Sequence, residues 1–290
     1  MGALVTLLVL AISPVTAKNY SDWSEPASIE SLPGSSSEVN TEFLDGCPIQ
    51  SPDGLSLYMA SNRTPGGQGN IDIWVAHRSS VDVGFGTPVN LGEPVNSPLD
   101  DFCPTPVRGK GLFFVSTRGG NPDIYFSRNH PDRGWTTPLP VSDINSPLPE
   151  LSPSYFEADG RAFLYFSRGP DIFSAERQPD GSWGSIGPVD GLNSPTALDL
   201  RPNVRKDGLE IVFDSNRHGR ADQDLYFSVR SSVDEAWSPP TPAGSGINTT
   251  AMETRGSYSW DGETLLFGRV LAGVGSDIFI STRTHLTGAD

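Results

Sequence analysis

The chain has 290 residues, a formal net charge of −15 at pH 7 and a sequence pI of about 4.6. An acidic surface repels nucleic acids and anionic membranes, so the composition excludes both as expected partners. Glycine and proline, 31 and 26 residues, separate many short apolar runs. That pattern is typical of all-β proteins with frequent turns.

Residues 1–17 form an apolar segment that ends in Val15-Thr16-Ala17. The small residues at its end predict a secretory signal peptide that is cleaved before Lys18. The segment is too short to span a bilayer, so no membrane insertion is expected after cleavage. It begins without Lys or Arg, and a buried N-terminal strand is the alternative. We expect an exported protein, secreted or periplasmic, with one domain over residues 18–290.

A set of motifs recurs five times along the rest of the chain. Each copy begins with an aromatic residue that is followed by proline, then by asparagine, and then by an acid that opens the next copy. The aromatic segments are Trp23–Pro26, Phe85–Pro88, Trp135–Pro138, Trp183–Pro188 and Trp237–Pro240. The acids are Asp45, Asp101, Glu150, Asp199 and Glu253. Their spacing of about 49 to 56 residues is close to the period of four-stranded propeller blades, roughly 40–50 residues.

Within each copy, short runs of β-branched and aromatic residues predict four strands, and Asp-Gly pairs predict hairpin turns between them. In the second copy the predicted strands are Cys103–Val107, Leu112–Ser116, Asp123–Arg128 and Trp135–Val141. The fifth copy stops after three strands at Thr284, and Trp23–Leu32 can supply the fourth by pairing antiparallel with Asp277–Arg283. The sequence therefore predicts an all-β, five-bladed propeller of four-stranded antiparallel blades, closed by its N-terminal strand.

The motifs resemble the repeat of TolB-like β-propellers over roughly residues 40–284. Ser51-Pro-Asp-Gly54, Ser61-Asn-Arg63, Gly66-Gly67 and Asp72-Ile-Trp74 carry the resemblance most fully, and the fifth copy has Gly268-Arg269 in place of Ser-x-Arg. The resemblance implies the propeller fold and leaves the activity open, because such repeats serve many binding proteins. TolB has a separate N-terminal domain that this repeat does not include, so its envelope partners are not implied.

Antiparallel strands bring the start of strand one, the end of strand two and the start of strand three to the same edge of a blade, here called the acid edge. These positions hold an acid, an arginine and an aspartate in each copy: Asp45/Arg63/Asp72, Asp101/Arg118/Asp123, Glu150/Arg168/Asp171, Asp199/Arg217/Asp224 and Glu253/Arg269/Asp277. We expect each guanidinium to lie between its two carboxylates. The acids then either stabilise the blades or form a ring that binds a cation or a polyhydroxylated ligand.

Two residues after each acid, the copies differ: Cys47, Cys103, Ser152, Arg201 and Arg255. Arg201 and Arg255 have no acid of the repeat assigned to them, so they either bind an anionic group, such as an acidic sugar, or neutralise the acids of a neighbouring blade. His218, in a loop with charged neighbours, is a further candidate for ligand binding or a solvated side chain. Cys47 and Cys103, the only cysteines, occupy equivalent positions in adjacent blades, and we predict a disulfide between them.

No motif for a zinc site, a calcium loop, a nucleophile elbow or a phosphate loop occurs, so no cofactor or metal is expected. The favoured function is a monomeric, non-catalytic binding module for a carbohydrate or a protein, with its ligand on the acid edges. The loops between strands three and four, at the opposite edge, are expected to be solvated connectors.

One alternative is a glycosidase-like enzyme of the arabinanase type, with two of the five acids as general acid and general base. Against this, the five acids share one sequence context, whereas catalysis needs two carboxylates of different pKa. Another alternative is a scaffold within an envelope complex.

Overall fold

The computed structural model describes residues 20–109, 111–219, 222–272 and 275–286. The predicted signal peptide lies outside the described residues. Their regular structure consists of β-strands and one short 3-10 helix, Ile29–Ser31. Among these residues there is no helix with the length and apolar character that a membrane span requires.

Five four-stranded antiparallel sheets form the blades, which confirms the predicted five-bladed propeller. The N-terminal strand, β1 (Ala27–Ser28), belongs to the last blade. Blade 1 contains β2 (Asp45–Gln50), β3 (Ser56–Ser61), β4 (Asp72–His77) and β5 (Val89–Asn90). Blade 2 contains β6 (Asp101–Val107), β7 (Gly111–Ser116), β8 (Asp123–Ser127), a side hairpin of β9 (Asn129–His130) and β10 (Gly134–Trp135), and β11 (Leu139–Pro140).

The remaining blades repeat the same order from the inner to the outer strand. Blade 3 contains β12 (Glu150–Ala158), β13 (Arg161–Arg168), β14 (Asp171–Arg177) and β15 (Trp183–Pro188). Blade 4 contains β16 (Asp199–Val204), β17 (Glu210–Ser215), β18 (Asp224–Val229) and β19 (Thr241–Pro242). Blade 5 contains β20 (Met252–Tyr258), β21 (Thr264–Val270) and β22 (Ser276–Thr282), and β1 is its outer strand.

The N-terminal segment closes the ring, as predicted. Ala27 pairs with Ile280 and Ser28 with Phe279, in antiparallel register. An isolated bridge between Tyr20 and His285 extends the pairing. The outer strand of the last blade therefore comes from the opposite end of the chain, which joins the first and last blades without an open sheet edge between them.

The recurrent aromatic residues fill the spaces between neighbouring blades. Trp183 of blade 3 is 6% exposed and packs against Phe113 of blade 2, and Trp23 stacks on Phe227 of blade 4 at 6.3 Å between ring centroids. Phe85, Trp135 and Trp237 lie in the equivalent hydrophobic clusters. A large flat ring suits the wedge between two twisted sheets, which accounts for the aromatic residue in each copy of the repeat.

The fourth strand of blade 2 differs from its prediction, Trp135–Val141. Trp135 pairs with Asn129 in the side hairpin, and only Leu139–Pro140 pairs with β8. Pro138 and Pro140 have no N–H group to donate, so a continuous ladder cannot form there. The connection between β8 and β11 therefore contains a separate two-stranded sheet, β9 and β10.

Candidate functional site

The five acids of the repeat are buried and paired. Each side chain is 0% exposed, and each carboxylate binds the arginine at the end of the second strand of its own blade. The N···O distance is between 2.6 and 2.8 Å in four pairs, and the fifth pair is Arg63 with Asp45. Buried charges need such pairing, because an unpaired buried carboxylate is strongly destabilising.

The carboxylates also fix the loop that precedes them. Asp101 accepts hydrogen bonds from the backbone N–H and the hydroxyl of Ser97, at 2.6 and 2.8 Å. The backbone N–H groups of Thr41, Ser146, Ser194 and Thr249 donate to the other four acids in the same way. The asparagine before each of these residues binds strand three of the preceding blade, as Asn96 binds both the N–H and the C=O of Ile73 at 2.9 Å. Asp45, Asp101, Glu150, Asp199 and Glu253 thus hold the framework together, and we do not place them in the candidate site.

The length of each acidic side chain, Asp or Glu, matches the position of its arginine on the neighbouring strand. In blades 3 and 5 the acid is glutamate, and it stands directly opposite its arginine: Glu150 opposite Arg168 and Glu253 opposite Arg269. In blades 1, 2 and 4 the acid is aspartate, it stands opposite a serine, and the arginine follows two residues later. The choice of Asp or Glu is therefore set by the strand register.

The aspartates at the start of strand three do not complete the predicted double pairing. Among the described ion pairs, none joins Asp72, Asp123, Asp171, Asp224 or Asp277 to the arginine of its own blade. Asp72 instead accepts a hydrogen bond from the side chain of Asn90 at 3.1 Å. The arginines direct their remaining N–H groups to backbone carbonyls of the preceding loop, such as Ile144 and Ile247.

His218 lies beside one of these strand-three aspartates. Its Nε2 atom is 3.2 Å from the carboxylate of Asp224. The residue belongs to the loop between the second and third strands of blade 4 and does not line the central channel.

A β-bulge in each inner strand shapes the central channel. The pairing of strands one and two shifts just after the acid in all five blades. At each bulge one residue has a left-handed backbone, with φ between 47° and 57°: Cys47, Cys103, Ser152, Arg201 and Arg255. A non-glycine residue in this region is uncommon and requires support from its surroundings. This is the position two residues after the acid, at which the residue type changes from blade to blade, and all five side chains line the channel.

Cys47 and Cys103 lie next to each other at the channel, with their Cα atoms 5.0 Å apart. This distance is within the range of about 4.4–6.8 Å that a disulfide requires. The hydroxyl of Ser152 is 3.4 Å from the sulfur of Cys103. The geometry suits the predicted bond, and the bond itself stays a prediction.

Arg201 binds a carboxylate that is not part of the repeat. Its Nη1 atom donates to Asp214 at 2.9 Å and to the side-chain oxygen of Gln223 at 2.6 Å. The other oxygen of Asp214 accepts from the backbone N–H of Arg255 at 2.8 Å. Burial of Asp214 raises its pKa to about 6, and the opposing effect of Arg201 only limits this rise.

Arg255 forms no ion pair with the described residues, and the carboxylate that acts on its charge is that of Asp214, which Arg201 already binds. The Arg255 guanidinium makes no hydrogen bond with the described residues, and its Nε atom is buried without a partner. Burial, assisted by the charge of Arg201, lowers the pKa of Arg255 to about 10, so the side chain is still a cation at neutral pH. Two guanidinium groups therefore share one carboxylate at the channel.

The channel itself is narrow. Its cavity has a volume of about 40 Å³ and is lined by the bulge residues and by the residues that follow them, including Pro48, Pro104 and Pro153. A volume of this size holds a few water molecules or one small charged group, whereas ligand pockets usually measure roughly 300–1,000 Å³. At the opposite end, the ring of Trp260 lies under Arg108 and Lys206, at 4.9 and 5.2 Å.

Asp214 and Gln223 were not found from the sequence. By strand register, Asp214 occupies a position that carries no charge in the other blades, where Ala60, Val115, Ser167 and Gly268 stand. Gln223 stands where other copies have Ile71, Pro122 and Pro170. Asp214 and Gln223 both depart from the repeat, and both lie in the blade that carries Arg201. Three departures in one blade are the sequence signal that could have identified these residues.

Possible metal ligands are not grouped in the described parts of the chain, where no set of three His, Cys, Asp or Glu side chains is placed to hold an ion.

The sequence matches no protein-family model and no curated protein sequence. Several solved structures have a fold similar to that of this chain. A putative glycoside hydrolase from Parabacteroides distasonis superposes with a TM-score of 0.58 at 11% identity, covering 94% of this chain and 99% of that one. An endo-arabinase from Bacteroides thetaiotaomicron gives a TM-score of 0.56 at 14% identity, covering 92% and 99%.

A TolB protein from Acinetobacter baumannii gives a TM-score of 0.46 at 15% identity, covering 81% of this chain and 53% of that one. At these identities the resemblance to the hydrolases establishes the propeller fold and nothing more. The more specific relation to TolB-like proteins is not established by a superposition this weak.

Proposed function

We propose that the chain is a binding module for an anionic ligand, with an acidic carbohydrate as the favoured class, and that Arg255 and Arg201 hold the anionic group at the channel mouth. The observation that carries this proposal is the Arg255 guanidinium, which has no partner among the described residues. The chain has a net charge of −15, so an arginine that has to share its carboxylate with a second arginine is unusual in it.

The charges around the channel favour an anion. Arg201 and Arg255 contribute two positive charges, and Asp214 contributes one negative charge when it is ionised. A carboxylate or a sulfate at the mouth would balance the remaining positive charge and accept hydrogen bonds from the N–H groups of Arg255. Guanidinium groups bind such anions with charge-assisted hydrogen bonds, which are roughly twice as strong as neutral ones.

The size of the channel limits what can enter it. A cavity of about 40 Å³ can admit the anionic group but not a sugar ring. The body of the ligand would therefore lie on the surface formed by the acid edges. A uronic acid fits this arrangement, because its carboxylate projects from the ring.

The test measures binding of digalacturonate to the full chain by calorimetry, with the neutral galactose disaccharide as the comparison ligand. We expect Arg255→Gln to weaken digalacturonate binding by about tenfold to a hundredfold, the usual contribution of a hydrogen bond to a charged group. The melting temperature should stay unchanged, since Arg255 has no described partner to lose. Arg133→Gln, which removes an exposed arginine elsewhere, should bind as the natural protein does.

Three results would contradict the proposal. The natural protein could bind both disaccharides equally, it could bind neither these disaccharides nor inorganic sulfate, or Arg255→Gln could bind digalacturonate unchanged.

A glycoside hydrolase is the second candidate, and the resemblance to glycoside hydrolases favours it. Asp214, with its pKa raised to about 6, has the protonation behaviour of a general acid. Its two oxygens, however, bind Arg201 and Arg255, and it has no exposed surface. Neither Asp214 nor any other carboxylate is among the described residues that line the channel, whereas hydrolysis requires two, about 5–10 Å apart.

Hydrolysis is tested directly by the release of reducing sugar from arabinan, xylan and polygalacturonate. We expect no release above background. Release that is lost in Asp214→Asn would make the enzyme the better description.

We further propose that the mature protein acts outside the cytoplasm, in the periplasm or secreted, as a monomer. The apolar N-terminal segment with its Val15-Thr16-Ala17 end supports export. N-terminal sequencing of the protein from the extracellular or periplasmic fraction should begin at Lys18.

A further inference from the structure

A cleft of about 990 Å³ lies between blades 2 and 3. Its interior is lined by Phe113, Phe126, Tyr155 and Trp183, and Leu139 stands exposed beside them. The walls include residues from the connections between strands three and four in both blades, such as Thr137 and Gly181, and these connections were predicted to be solvated. The cleft is therefore distinct from the channel, which opens among the acid edges.

The cleft lies where the tryptophan of blade 3 does not stack on the aromatic ring at the end of strand three of blade 2. Between blades 4 and 5, Trp23 stacks on Phe227 at 6.3 Å between ring centroids. Phe126 is the counterpart of Phe227 in blade 2. Trp183 instead meets Phe113 and Tyr155 edge-on, at 6.3 and 6.4 Å between ring centroids. Phe126 contacts the ring of Phe113 at 4.6 Å, and among the described residues it makes no ring contact with Trp183. Phe126 thus remains half-buried and contributes apolar surface to the cleft.

Two arginines give the cleft a positive charge. Arg128 and Arg177 line it, both are exposed, and neither forms an ion pair among the described residues. The Arg177 guanidinium lies over the ring of Trp183 at 5.1 Å. The acid of the lining, Asp143, accepts a hydrogen bond from the backbone N–H of Trp183 at 2.9 Å, so one of its oxygens is already used.

We propose that this cleft binds a small anion with an apolar body, such as a medium-chain carboxylate. The apolar part would cover Phe126 and Leu139, and the carboxylate would meet Arg128 and Arg177 at the rim. The volume is within the range of small-molecule sites, roughly 300–1,000 Å³. This site and its ligand do not depend on the function proposed for the channel.

The test uses the full chain and 8-anilinonaphthalene-1-sulfonate, an apolar anion whose fluorescence rises when it leaves water. We expect saturable binding at one site, and displacement by decanoate at concentrations about tenfold lower than by decanol, because a guanidinium prefers a carboxylate to a hydroxyl. Decylammonium should displace it less well than decanol. In the Arg128→Gln/Arg177→Gln variant, decanoate and decanol should displace it equally.

Two further variants locate the site. Thr137→Trp places a large ring in the cleft from an exposed position and should reduce binding at least tenfold. Arg133→Gln removes an exposed arginine of the neighbouring loop that does not line the cleft, and it should bind as the natural protein does. Equal displacement by decanoate and decanol in the natural protein would overturn the proposal. A preference for decanoate over decanol that persists in the Arg128→Gln/Arg177→Gln variant would also overturn the proposal. This second test does not depend on whether Thr137→Trp folds.

Discussion

Asp214 binds Arg201 at 2.9 Å, and this ion pair connects the inner strand of blade 4 to its second strand beside the channel. The carboxylate is fully buried, whereas the arginine side chain is 20% exposed. Asp214 also accepts the backbone N–H of Arg255, so it holds the bulge of blade 5 as well. Arg201 is therefore structural as well as cationic, and Arg255 is the arginine that is free to bind a ligand.

Arg201→Ser should destabilise the protein by about 3–5 kcal/mol, because it leaves Asp214 buried without its counter-charge. Arg201→Ser combined with Asp214→Val gives blade 4 the residue types of blades 3 and 2 at these positions, and it should recover most of the loss. Urea unfolding of the two variants measures the difference. Equal stability of the single and the double variant would show that the pair does not act as a unit.

Stability should depend on pH through Asp214. Its pKa of about 6 in the folded chain exceeds the ordinary value of 3.8, so the folded state binds its proton more tightly. The contribution of this group to stability is present below pH 4 and is lost as the pH rises through 6, by about 3 kcal/mol. Asp214→Asn should therefore gain stability relative to the natural protein between pH 4 and pH 7. An unchanged difference between their unfolding free energies over that range would contradict the assignment.

Anion binding at the channel should follow the same titration. Below pH 6 Asp214 becomes neutral, which raises the net charge of the three groups from +1 to +2. Sulfate keeps its charge in this range, so its affinity should increase as the pH falls from 7 to 5. The increase should be absent in Asp214→Asn. A pH dependence that persists in that variant would assign the titration to another group.

Removal of residues 18–32 should lower the melting temperature strongly, since it deletes the outer strand of blade 5. Without β1, the edge of β22 is unpaired and Trp23 no longer covers Phe227 and Tyr258. Thermal unfolding of the truncated chain against the full mature chain provides the measurement. A truncated chain that melts at the same temperature would mean that ring closure does not need this strand.

The predicted disulfide between Cys47 and Cys103 encloses a loop with a sequence separation of 56 residues. A cross-link over such a loop stabilises the folded state by about 4 kcal/mol in the loop-entropy description. Thiol titration of the denatured, non-reduced protein should find no reactive thiol. Two reactive thiols per chain would exclude the bond, and reduction would then leave the melting temperature unchanged.

The sequence by itself determined the fold. The period of the acids, the Asp-Gly turns and the unmatched aromatic segment at Trp23 predict five blades and their closure, because strand and turn preferences are local and each blade repeats them. The sequence also contains the difference between blades with Asp and blades with Glu, because Ser and Arg are adjacent in blade 3 and separated by one residue in blade 1. Only the paired strands show that this spacing decides which acid can reach the arginine.

Only the tertiary structure decided which charged groups are available. Arg118 and Arg255 are both arginines near the acid edge, yet one neutralises Asp101 and the other has no described partner. Asp214 and Arg255 are 41 residues apart and meet only because the second strand of blade 4 packs beside the inner strand of blade 5. The cleft beside Phe126 likewise depends on how Trp183 packs in the next blade. The link between Asp214 and Arg255 and the cleft both arise from contacts between blades, and the repeat pattern within one blade does not specify those contacts.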